Sequence, residues 1–145
     1  MRAFTYPGPV AHRQDGAPGD FEMRIPAQAQ ELQSIRQALG TWLNGQGAPS
    51  EVGAEIAFAV HEAAANVVQH AYPRDAGEVI VRARHDDGRL VVVVEDEGEW
   101  RPPSRTDQRG RGLALMHGLM DDVDIAPSDA GSGTRVTLRR RVDHQ

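Results

Sequence analysis

Two runs of β-branched residues around an Asp-Gly step constrain this chain more than any other feature. The stretch Gly77 to Arg84 carries E-V-I-V-R-A-R, and Leu90 to Glu95 reads L-V-V-V-V-E. Valine and isoleucine suit a pleated, half-buried surface. The linker His85-Asp86-Asp87-Gly88-Arg89 holds an Asp-Gly pair, which tolerates the positive φ of a tight turn. The two runs therefore predict an antiparallel hairpin.

Helical patterns precede it. From Ala27 to Asn44 the residues Leu32, Ile35, Leu39, Trp42 and Leu43 recur at helical spacing, with Pro26 before and Gly45 after. A second helix is expected from Ser50, a candidate N-cap, to about His70, ending before Pro73. Its apolar face carries Ile56, Val60, Ala63, Ala64, Val67 and Ala71. Phe21 to Ile25 alternates apolar and polar residues, so it reads as a short strand. Glu97 to Gly110, with two prolines and almost no aliphatics, reads as a loop long enough for a lid. Leu113 to Met120 predicts a short helix preceded by glycines. Val123 to Ala126 and Thr134 to Val142 predict two final strands. This order implies an α+β, two-layer sandwich: a mixed, mainly antiparallel sheet with helices on one face.

Residues 1 to 19, rich in Gly and Pro, are expected to form a flexible N-terminal arm, leaving 20–145 as one domain. The chain of 145 residues has a mean hydropathy of −0.51 and no apolar run that could cross a bilayer. A secretory leader pattern is not seen, and there are no cysteines, so a cytoplasmic location is expected. The net charge of −5 speaks against general binding of nucleic acid. All 16 basic residues are arginine, which excludes a P-loop because that motif needs a lysine. Any phosphate must then be neutralised by arginines, backbone amides or a metal.

Four segments carry candidate chemistry. Glu62 and Asn66 lie four residues apart on a helix, with Gln69 beside them, so their oxygens share one edge. That set suits a hard cation such as Mg²⁺ together with a base. Asp96-Glu97-Gly98 lies where a strand breaks. A carboxylate there can accept a hydrogen bond from an adenine amine and would stay unpaired opposite a keto oxygen. Gly98 would let a base approach the backbone. Arg109-Gly110-Arg111-Gly112-Leu113 opens a helix, where free amides and the dipole favour phosphate. Gly131-Ser132-Gly133-Thr134 opens a strand. Each segment alone has an ordinary reading as solvated helix surface, a strand-exit turn, a Gly-x-Gly step or a hairpin turn. Arg139-Arg140-Arg141 reads as a solvated strand end, and His61 and His70 as local helix residues. The joint order is what discriminates.

That joint order resembles the ATPase superfamily shared by gyrase, a heat-shock chaperone, histidine kinases and MutL (GHKL). Within it the chain looks like the anti-sigma-factor serine/threonine kinases of bacterial stress and sporulation switches. Glu62-Ala-Ala-Ala-Asn66-Val-Val-Gln-His70-Ala71-Tyr72 is similar to their N-box, E-A-x-x-N-A-x-x-H-A/G-Y. Asp96-Glu97-Gly98 matches the start of their first glycine box. Arg109 to Met116, continuing to Met120-Asp121-Asp122-Val123, resembles the second glycine box and its M-D-x-V tail. Gly131 to Thr134 resembles the G-T box. The resemblance spans roughly residues 20 to 141.

It implies an ATP-dependent serine/threonine kinase on the GHKL fold. Asn66 would hold Mg²⁺, Glu62 would act as general base, and Asp96 would read adenine with support from Thr134. Gly98, Gly110, Gly112 and Leu113 would line the ATP pocket, with Arg109 or Arg111 over the phosphates. The implied partners are a sigma factor and a serine-bearing anti-sigma-factor antagonist of the STAS-domain type, with a homodimer and no membrane contact. One position departs from the pattern: Trp100 stands where the first glycine box ends in glycine. A ring there would narrow the pocket, which keeps open a regulator-binding module with weak or no nucleotide binding. A histidine-kinase ATPase half would need an upstream helical hairpin bearing a histidine, and the helix over 27–44 has none.

Overall fold

A computed structural model describes residues 19–72, 77–99, 108–128 and 132–142; for His70 and residues 108–112 it describes the backbone alone. The arm before residue 19, Trp100 and Gly131 lie outside the described residues. The elements run β1 (Phe21–Pro26), α1 (Leu32–Gly45), α2 (Ser50–Asn66), β2 (Glu78–Asp86), β3 (Arg89–Glu95), α3 (Gln108–Leu119), β4 (Asp122–Pro127) and β5 (Thr134–Arg141). The strands form one sheet in the order β1-β2-β3-β5-β4. All four pairings are antiparallel, so the sheet expected to be mainly antiparallel is so in every described pair.

The hairpin closes more tightly than its sequence suggested. Asp86 pairs with Arg89, leaving only Asp87 and Gly88 in the turn, both at positive φ (54° and 81°). Such two-residue turns match the right-handed twist of the flanking strands.

One face of the sheet is apolar and covered. Phe21, Met23 and Ile25 of β1, Val79, Val81 and Ala83 of β2, and Leu90, Val92 and Val94 of β3 join Val136 and Leu138 in a single core. Ile35, Ala38, Leu39, Trp42 and Leu43 of α1 enter that core, as do Ile56, Ala59, Val60, Ala63 and Ala64 of α2. Helix α2 packs between α1 and α3. Its start differs from expectation. Pro49 takes the extended cap position and its carbonyl accepts the Gly53 amide at 2.8 Å, while Ser50 is already the first helical residue. It ends where expected, near His70, but its last residues, Val67–Ala71, form a wide π-type turn before Tyr72 leaves the helix. Single π turns of this kind are frequent at functional sites.

Among the described residues the other face bears no helix. Ile80 and Val91 lie on it yet are 3% and 5% exposed. Arginine stems can shield such residues while the charged heads stay wet. Arg24–Glu78 (3.2 Å), Arg82–Glu95 (3.1 Å) and Arg139–Asp122 tie neighbouring strands there. The arginine run at the end of β5 is therefore engaged rather than merely solvated. Arg140 donates to the Leu119 carbonyl at 2.6 Å and pairs with Glu55 of α2 at 2.8 Å, pinning β5 to two helices. Helix α3 begins at Gln108, five residues before the predicted start. Gly110 and Gly112 thus sit third and fifth within it. Only the first four amides of a helix lack an internal acceptor, so Gly110 lies among the free ones and Gly112 just beyond them.

Candidate functional site

A pocket opens between the C-terminal part of α2, the helix α3, and the ends of β3, β4 and β5. Ala63, Asn66, Val67 and Ala71 form one wall, and Leu113 and Met116 of α3 form another. Val94, Ile125 and Val136 make an apolar floor, with Asp96, Glu99 and Thr134 at its edge. Four of the residues singled out from sequence, Asn66, Asp96, Leu113 and Thr134, therefore meet at one place although 68 positions separate the first from the last. An apolar cleft with a few convergent polar groups is the usual form of a small-molecule site.

Asp96 is the most buried polar residue of the cleft. It is only 2% exposed. Its Oδ1 accepts the Gly98 amide at 2.9 Å, and its own amide donates to the Thr134 carbonyl at 3.0 Å. Burial raises the Asp96 carboxyl above the ordinary carboxylate value; the backbone amides of Gly98 and Thr134 pull it down, and Glu95 and Glu97 push it up again. A buried carboxylate with a raised pKa at the edge of an apolar cleft is a candidate functional group on physical grounds.

The loop carrying Asp96 is clamped from two sides. A Cβ at Gly98 would overlap the carbonyl of Ala71, and one at Gly133 would overlap the carbonyl of Asp96. Gly133 also has a φ of +84°. Glycine is required at both positions, for close backbone approach in the first case and for approach and conformation in the second. Ser132 Oγ donates to the Glu97 carbonyl at 3.2 Å.

Glu62 stands one helical turn before Asn66 on α2, half-buried and outside the pocket lining. The preceding His61 has a buried Nδ1 that finds no hydrogen-bond partner among the described residues. Its pKa is lowered, chiefly by burial and then by the nearby Arg36 charge, with Glu62 opposing both. The imidazole next to Glu62 is thus held toward its neutral form. Gly110 and Gly112 lie in the first turn and a half of α3, beside Leu113. The side chains of Arg109 and Arg111 lie outside the described part of the structure. Among the described residues no group of three His, Cys, Asp or Glu side chains could hold a metal. A divalent cation at Asn66 would have to take its other ligands from phosphate and water. Mg²⁺ commonly binds in that way, so the donor set fits a metal that arrives with a nucleotide.

Sequence reasoning missed several contributors. Glu99, Ile125 and Val136 line the pocket without belonging to any of the four segments, and Met116 lines it from the end of the second glycine box, where it was not singled out as a contact. The periodicity of Ile125 and Val136 marked them at most as core, because a pocket wall and a core wall have the same apolar signature, whereas Glu99 sat in the stretch read as a loop. Tyr72 was visible only as the last letter of a motif, with no cue to its contacts.

Comparison with known proteins agrees with this fold. The sequence model of the histidine kinase-like ATPase domain matches residues 25–140. The chain belongs to that family of ATP-using domains. It is 34% identical to the serine-protein kinase RsbW of Bacillus subtilis over 86% of this chain and 89% of the relative. It is 31% identical to RsbW of Bacillus thuringiensis over 72% and 76%. A crystal structure of the RsbU and RsbW domains of a Mycobacterium tuberculosis protein superposes with a TM-score of 0.70 at 28% identity. That match covers 85% of this chain and 32% of the longer one. Within its family, the chain is an RsbW-like serine/threonine kinase.

Proposed function

We propose that the protein phosphorylates a serine on an anti-sigma-factor antagonist and, in its other state, sequesters a sigma factor. The observation that carries this reading is the convergence of Asn66, Asp96, Leu113 and Thr134 on one cleft, with Glu62 a single turn away, in a chain related to serine-protein kinases.

In this reading the adenine ring lies against Val94, Leu113, Met116 and Val136, and its exocyclic amine donates to Asp96. Thr134 supports that carboxylate through the backbone. The triphosphate extends toward the start of α3, where free amides, including that of Gly110, and the charges of Arg109 and Arg111 compensate it. Gly98 and Gly112 leave room along the pocket rim. Asn66 Oδ1 would hold Mg²⁺, which would supply positive charge against the phosphates. Glu62 accepts the proton of the serine hydroxyl as its oxygen bonds to the γ-phosphorus and the bond to the β–γ bridging oxygen breaks, releasing ADP.

The partners proposed are a sigma factor and a serine-bearing STAS-domain antagonist. When the antagonist is unphosphorylated it competes for the kinase and frees the sigma factor. A homodimer is part of the proposal; β1, an edge strand, and α1 beside it are the candidate surfaces. Cytoplasmic action fits a transcriptional switch, and none of the described helices is long and apolar enough to cross a membrane.

The test is calorimetric titration with ATP and GTP, in Mg²⁺ and in EDTA, followed by phosphate transfer to a serine-bearing antagonist. Mg²⁺-dependent binding that prefers ATP is expected. Glu62→Gln is expected to keep that binding and to slow transfer by about 10²–10⁴-fold, the usual contribution of a general base. Undiminished transfer by Glu62→Gln overturns the assignment of the base. No binding at millimolar ATP would favour the reading opened by Trp100, a regulator-binding module on the same fold.

A further inference from the structure

We infer that Tyr72 is a positioning residue for nucleotide recognition, fixing the loop that carries Asp96. The inference rests on the reading of Asp96 as the adenine contact and adds a residue that acts through it.

Tyr72 is the first residue beyond the π turn that ends α2. Its hydroxyl donates to the Glu78 carbonyl at the start of β2 and accepts the Glu97 amide, both at 2.9 Å. One phenol therefore joins a helix end, a strand start and the loop after β3. Its neighbour Ala71 completes the grip. The Ala71 carbonyl accepts the Glu99 amide at 2.9 Å, and Gly98 packs against that same carbonyl. Two consecutive residues thus hold positions 97, 98 and 99 in succession. The Gly98 amide is in turn the donor to Asp96 Oδ1. The peptide that orients the carboxylate is the one that Tyr72 and Ala71 hold.

The ring is itself constrained, since a Cβ at Gly77 would overlap it. Burial raises the phenol pKa, so the hydroxyl remains a donor throughout the neutral range. The same helix carries Asn66 one and a half turns earlier. Tyr72 consequently ties the cation side of the pocket to the base-reading side by a short, rigid path.

Glu97 is exposed, so water can satisfy its amide when the phenol oxygen is removed. Tyr72→Phe should therefore fold, and the loss falls on the placement of the loop. The test measures binding of ATP and of inosine triphosphate, which replaces the exocyclic amine by a keto oxygen, to wild type and Tyr72→Phe. Amide exchange is followed in parallel without nucleotide. ATP binding is expected to weaken by about three- to tenfold, the scale of one net hydrogen bond, with inosine triphosphate weakened less. Exchange at Glu97 and Gly98 is expected to accelerate while Val92 in β3 is unchanged. Equal loss for both nucleotides, or no loss, overturns the inference, because a purely structural tyrosine would not change the ratio. A wild type that does not distinguish the two nucleotides defeats the Asp96 assignment instead. Exchange then decides the positioning role alone: faster exchange confined to Glu97 and Gly98 upholds it, and unchanged exchange rejects it.

Discussion

The turn between β2 and β3 and the loop after β3 lie at opposite ends of the same strand, and both depend on glycine. At Asp87-Gly88 the need is local: both residues take positive φ, and the turn serves only to reverse the chain. At Gly98 the need is tertiary, because the backbone lies against the Ala71 carbonyl from another element. Gly133 combines the two, with a φ of +84° and the Asp96 carbonyl where its Cβ would be. A local glycine protects stability. A contact glycine shapes the pocket, so its loss should be felt as function as well as stability.

Substitutions can break or sharpen that contrast. The largest effect is expected for Gly98→Ala. Its methyl meets backbone rather than a flexible side chain, so the loop must shift. About 1–3 kcal/mol of stability should be lost, as in other overpacked sites, together with measurable ATP binding; thermal denaturation and calorimetry check both.

Asp96→Asn comes next and separates function from stability. The amide presents a donor to the adenine amine, and ATP affinity should fall at least about tenfold, the scale of a hydrogen bond to a charged group. Stability should move the other way. The Asp96 pKa is raised in the fold, so the folded state binds the proton more tightly than the unfolded chain does. Its favourable contribution is fully present below the unfolded value and is lost as pH rises through the folded one. At neutral pH the buried charge is a cost that asparagine lacks. Wild type should therefore gain on Asp96→Asn as pH falls from 7 toward the ordinary carboxylate range, read as the difference in melting temperature across that window. A difference independent of pH would contradict the burial argument.

Gly88→Ala should cost about 1–2 kcal/mol through its left-handed φ of 81° and leave ATP binding as it was. A change in affinity there would mean that the two ends of β3 are coupled. The smallest effect is expected at Gly40, inside α1, where an added methyl meets nothing within 4 Å. Gly40→Ala should stabilise by up to about 1 kcal/mol through helix propensity, with no change in nucleotide affinity.

The fold was readable where the signal is local. The hairpin, the apolar stripes of α1 and α2, and the final strand pair all follow from side-chain periods that repeat within a few residues. The deviations arose where a neighbour decides. Ser50 has the composition of a cap, yet Pro49 takes that place. The glycines of α3 suggested a pre-helical loop, yet they lie inside the helix, which buries Met116 in the core. The arginines of β5 looked like solvated charge, yet Arg140 reaches Glu55 and the Leu119 carbonyl.

Within the candidate site the same division holds. The sequence by itself determined which residues have the chemistry for a nucleotide cleft: Glu62 and Asn66 one turn apart, Asp96 at a strand end, and glycines where close approach is needed. Those properties belong to residue type and short-range spacing. Only the tertiary structure decided that Asn66, Asp96, Leu113 and Thr134 face one cavity and that Ala71, Tyr72 and Gly133 clamp the loop between them. Contacts of that kind join residues far apart in the chain, and no local period encodes which hydroxyl meets which amide.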